Sequence, residues 1–93
     1  MTPNTVYADA AKSIPCPTEG TRSTFVLGED TCWTSIQLFL RNGVLYPVLT
    51  ARSVDLENGL TSDLLFWYRY LFKRFPYPLG RTTVNIGSLH LYI

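Results

Sequence analysis

Residues 33–51 read WTSIQLFLRNGVLYPVLTA, and the pattern of this stretch decides the fold. Thr34, Ile36, Leu38 and Leu40 alternate with Ser35, Gln37, Phe39 and Arg41. A period of two is the signature of a strand with unlike faces. Asn42-Gly43 interrupts the run before Val44, Leu45, Tyr46 and Val48 resume it. Both turn residues tolerate the positive φ of a tight type I′ turn, so the spacing predicts a two-stranded hairpin.

Upstream, residues 24–27 form a short β-prone run ended by Gly28-Glu29-Asp30. Residues 1–22 scatter Pro3, Pro15, Pro17 and Gly20 among small and polar residues. They read as an arm or loop with at most one helical turn over 7–12, ahead of a domain over 23–93. Downstream, residues 55–59 read as a turn. Thr61, Ser62 and Asp63 offer capping oxygens to a helix over 64–75, which starts acidic and ends at Lys73-Arg74, as the helix dipole favours. Apolar side chains surround that helix, which predicts deep burial. Pro76, Pro78 and Gly80 end it, and residues 82–86 and 88–93 read as two more extended segments. The class is α+β: an antiparallel or mixed sheet backed by one central buried helix.

The 93 residues suffice for one domain, small for an enzyme with two substrates. Only 16% are charged against 46% hydrophobic and 14% aromatic, where soluble domains carry about a quarter charged. So apolar a chain should share surface with a partner, and a homodimer is the expectation. A net charge of +1 gives no general affinity for polyanions, so polymeric nucleic acid is not expected as a partner. No run is long enough to span a bilayer, and the opening Met1-Thr2-Pro3-Asn4 lacks a signal segment, so no membrane partner and a cytoplasmic setting are expected. There Cys16 and Cys32 should be free thiols. Two cysteines and one histidine do not make a zinc site.

Arg52-Ser53-Val54-Asp55 ends the second hairpin strand. An Arg fork beside a hydroxyl can grip phosphate through charge-assisted hydrogen bonds, although alone such a cluster is more often a strand end with a surface ion pair. Taken singly, Cys32 reads as a small core residue and His90 as a core histidine.

The order and spacing of these residues carry more than each alone. Cys32, Gln37, the hairpin, Arg52-Ser53-x-Asp55, Gly59, an aromatic helix, Gly80 and then Gly87-Ser88-Leu89-His90-Leu91-Tyr92 resemble the thymidylate synthase superfamily over residues 31–93. The resemblance implies a thymidylate synthase-like fold. It makes Cys32 the nucleophile toward C6 of a pyrimidine and sets Asp55 toward ring and cofactor. Arg52 and Ser53 would hold the phosphate, Arg22 would be lent by the second subunit of a dimer, and His90 and Tyr92 would position the deoxyribose hydroxyl. Asp63 stands where thymidylate synthases have Asn and deoxycytidylate-modifying relatives have Asp. A carboxylate only accepts hydrogen bonds, which suits the cytosine amino group. The alternative is a first-turn helix acid.

Other positions depart from the family. Ala51 replaces the usual Gln, the segment before Cys32 lacks the acidic general-base region and the folate-stacking residues, and the chain stops at Ile93 where relatives continue. The expectation is a reduced, non-catalytic protein that binds a pyrimidine deoxynucleoside monophosphate, dCMP over dUMP, with no cofactor bound. One alternative is an active deoxycytidylate methyl- or hydroxymethyltransferase using methylene-tetrahydrofolate and completed by another protein chain. Another is a structural or inhibitory interaction protein that reuses the fold.

Overall fold

The structure, a computed structural model, describes residues 3–27, 31–55 and 59–90. In chain order the elements are α1 (Pro3–Ser13), β1 (Arg22–Val26), β2 (Trp33–Arg41), β3 (Val44–Asp55), α2 (Leu60–Tyr70), a 3-10 turn (Phe72–Arg74) and β4 (Thr83–His90). The strands form one sheet in the order β1-β2-β3-β4. β1 and β3 run antiparallel to β2, while β4 lies parallel to β3 after the α2 crossover. The architecture is α+β with a four-stranded mixed sheet and two helices.

The hairpin is as the alternation predicts. Asn42 (φ 53°) and Gly43 (φ 72°) both take positive φ at its tip. The carboxylate of Glu19 accepts the turn's Asn42 and Gly43 N–H groups. Ile36, Leu38 and Leu40 face inward, but Thr34 does not join them. A register irregularity between Trp33 and Ser35 adds one residue to β2, so Trp33 turns into the core instead. Each fully buried side chain of this kind contributes about 1.5–3 kcal/mol through area removed from water.

Pro47 is fully buried in the middle of β3. Leu45 exchanges backbone hydrogen bonds with Pro78 and Gly80, which fixes that β3 edge as the one facing β4. By the two-residue period, the N–H that proline lacks falls on the same edge. The gap between the isolated Leu45–Leu79 bridge and the start of β4 at Thr83 lies beside it. A central strand tolerates proline only where the ladder is already open.

Four readings need correction. Residues 3–13 are not loop but an 11-residue helix; its Tyr7, Ala10 and Ala11, with Ile14 just beyond its end, are buried at helical spacing. The second helix starts earlier, at Leu60. Gly59 is its N-cap and no side chain caps it, while Lys73 and Arg74 fall in the 3-10 turn. It is also not deeply buried: Trp67 alone of α2 is buried, and Leu65, Tyr68 and Tyr70 stand exposed. One helix of α2's length offers more apolar circumference than one sheet face can cover. Finally, residues 82–86 and 88–93 do not make two segments. β4 runs unbroken through Gly87 to His90, and residues 91–93 lie outside the described residues.

Both helices contribute to the core that covers one sheet face. Tyr7, Phe66, Trp67 and Trp33 meet ring to ring at centroid distances of 5.2–6.5 Å. The guanidinium of Arg74 donates to the Ala11 and Ile14 carbonyls, so a cation closes the end of α1 where unpaired carbonyls collect.

Candidate functional site

The start of β2 and the end of β3 bring the motif residues together. The Arg52 N–H donates to the Cys32 carbonyl at 2.7 Å. On the other side of β3, parallel register sets Ser53 opposite Ser88 and Asp55 opposite His90. Residues 32, 52–55 and 88–90 thus share one end of the sheet. Gly87 permits the approach: a Cβ there would lie 2.8 Å from the Arg52 carbonyl oxygen, inside van der Waals contact with backbone. Cys32 is an exposed free thiol and Arg52 is exposed, while Ser53 and Asp55 are half-buried.

Asp63, on the first turn of α2, reaches this end from below. Its Oδ2 accepts the Trp33 indole Nε1–H at 2.8 Å. Trp33 is fully buried, so its donor needs a partner, and Asp63 supplies one. The Trp33 backbone N–H donates to the Tyr7 hydroxyl at 3.3 Å, which ties α1 to the start of β2, next to Cys32. Burial raises the Tyr7 phenol above its ordinary pKa. The Trp33 N–H pulls the other way, and the Cys32 and Asp63 charges add to the rise.

Other expected site residues lie apart. Arg22 pairs with Phe39, six positions beyond Trp33 along β2, or about 20 Å at about 3.3 Å per residue. Its Nη1 donates to Gln37 Oε1 at 3.2 Å. Tyr92 lies outside the described residues. Sequence reasoning missed Tyr7 and Trp33 as supports of the site; the buried stripe of residues 7, 10, 11 and 14 was the available signal for the first.

Two surface grooves lie elsewhere. One, of about 280 Å³, crosses the uncovered sheet face between Arg22 and Arg81; the other, of about 290 Å³, lies along α2 between Ser62 and Tyr70. Neither includes Cys32, Arg52 or Asp63. Among the described residues no cluster of His, Cys, Asp and Glu could hold a metal ion, and no helix is long and apolar enough to cross a membrane. No family model matches the chain, and neither does any curated protein or solved structure compared with it.

Proposed function

We propose that this chain is a reduced member of the thymidylate synthase superfamily that binds a pyrimidine deoxynucleoside monophosphate, dCMP in preference to dUMP, without methylating it. The observation that supports this most is the meeting at one sheet end of Cys32, Arg52–Ser53–Asp55 and the strand ending at His90, groups as far as 58 residues apart in sequence. Arg52 and Ser53 bind phosphate from within one chain, with Asp55 beside them. His90 and Tyr92 take the sugar.

Asp63 selects the base. Trp33 holds one carboxylate oxygen, which orients the group and leaves the other for an exocyclic amine. Cytosine offers a donor there and uracil an acceptor. A buried mismatch costs about 1–3 kcal/mol, so calorimetric titration should show dCMP binding roughly tenfold tighter than dUMP. In Asp63→Asn the amide oxygen keeps the Trp33 bond and turns the NH₂ outward, which levels or reverses the preference. Equal affinities for the two nucleotides in the unmodified protein end the cytosine reading. Arg52→Ala should weaken monophosphate binding by about 1.5–3 kcal/mol. Nucleosides binding as well as their monophosphates would remove the phosphate role of Arg52 and Ser53.

The exposed free thiol of Cys32 favours a second reading, the deoxycytidylate methyl- or hydroxymethyltransferase with methylene-tetrahydrofolate. Exchange of the C5 hydrogen of dCMP, followed by NMR and abolished in Cys32→Ser, would select it. The proposal expects no exchange. The exposed Leu65, Tyr68 and Tyr70 on α2 favour a partner chain in either case. The homodimer implied by the resemblance would pair sheet to sheet through the uncovered face, which carries Arg22 and Arg81. Sedimentation at micromolar concentration tests it.

A further inference from the structure

Net charge conceals how this fold distributes its charges. None of the eight residues lining the groove on the uncovered sheet face is acidic, and Arg22 and Arg81 stand at its two margins. Arg22 uses one N–H on Gln37, and a guanidinium has five. The nearby Glu19 is engaged by the hairpin-tip N–H groups.

Between the arginines lie two rings. Phe39 and Tyr46 are direct cross-strand partners on the two central strands, and both are half-buried. Arg41 lays a third guanidinium over the Phe39 ring, 4.8 Å from its centroid, so a base stacks on Phe39 once that long side chain swings aside toward a phosphate. Gly80 braces Tyr46: a Cβ at that glycine would lie 2.4 Å from the ring, so backbone packs against it and fixes its pose. Neighbouring rings on central strands with cations at both margins suit stacked bases whose phosphates run along the edges. A duplex keeps its base faces stacked on one another, so exposed rings on a sheet offer it little beyond phosphate contacts. A second copy would bring four arginines into one interface with no carboxylate from either groove to offset them. We propose that the uncovered face binds single-stranded nucleic acid, stacking two bases on Phe39 and Tyr46 and holding phosphates with Arg22 and Arg81.

The proposal is independent of dCMP binding, which concerns the far end of the sheet, but it excludes the sheet-to-sheet homodimer, which would occupy the same face. Its test is fluorescence anisotropy of a labelled oligo(dT) of about ten nucleotides, a length within single-strand site sizes. Saturable binding at ~50 mM salt is expected, with a log–log salt slope near about −1.4 for two phosphates. The Arg22→Ala/Arg81→Ala double variant should bind about tenfold more weakly and flatten the slope. Tyr46→Leu should weaken binding about tenfold and keep the slope. Circular dichroism checks that each variant is folded, and Phe39→Leu serves if one is not. Excess dCMP should leave the oligonucleotide bound, so each reading can fail alone. No binding up to ~100 µM protein, equal binding of a duplex, or indifference to all the variants overturns the proposal. So does a dimer, seen without oligonucleotide, that Tyr46→Asp dissociates.

Discussion

Trp33 and Trp67 share one core, their rings 6.5 Å apart, yet their indole N–H groups fare differently. Trp33 donates to Asp63, whereas buried Trp67 Nε1 finds no acceptor among the described residues. Phe at 67 therefore loses ring volume but also removes an orphaned donor. Phe at 33 loses volume and a charge-assisted bond. Urea denaturation should show Trp33→Phe costing about 1–2 kcal/mol more than Trp67→Phe, and the reverse order would refute this account. Gly87→Ala forces a methyl against the Arg52 carbonyl and should cost about 1–3 kcal/mol by the same measurement. The sequence reveals that residue 87 is glycine and that 63 is acidic. The reasons, a parallel neighbour strand and an indole 30 residues away, exist only once β4 and α2 have docked.

Among the elements, the hairpin was readable because its signal is local: alternation on both sides of Asn42-Gly43. α1 was not, although residues 7, 10, 11 and 14 form a helical stripe. Two of the four are alanines, too small to stand out as apolar, and Pro3, Pro15 and Pro17 flank them. The helix is held by Tyr7 and by Arg74. Arg74→Ala should cost about 1–2 kcal/mol and expose residues 3–13 to proteolysis first, since two charge-assisted bonds to its end are lost from a partly exposed site. Tyr7 gives α1 an alkaline limit. Its pKa is raised from 10.0 by burial, so the folded state keeps the phenolic proton where the unfolded chain has released it. Stability should fall as pH rises above about 10 and continue falling to the folded pKa. Tyr7→Phe should lower the neutral-pH value but flatten that slope in denaturation measured across the alkaline range.

At the scale of the molecule, the α+β class and a sheet backed by a helix followed from the mix of a two-residue period and an apolar helix, but the second helix sharing that cover did not. Composition predicted shared surface without locating it; the exposed surfaces are the outer side of α2 and the arginine-margined sheet face. The parallel pairing was equally invisible, because extended residues after a helix can join either edge in either direction. That pairing also sets an order of events in time. β2 and β3 join residues three to 18 apart, from Arg41–Val44 to Trp33–Ala51, while every β3–β4 pair spans 35, from Val48–Thr83 to Asp55–His90. Short loops close before long ones repay their entropy, so the hairpin belongs in the folding transition state and β4 docks afterwards. Stopped-flow chevrons should show Gly43→Ala, strained at φ 72°, chiefly slowing folding, and Gly87→Ala chiefly speeding unfolding. The residues gathered at the end of the sheet would then be joined only in the last step, which leaves Cys32 and Arg52 together for some time before Ser88 and His90 arrive beside them.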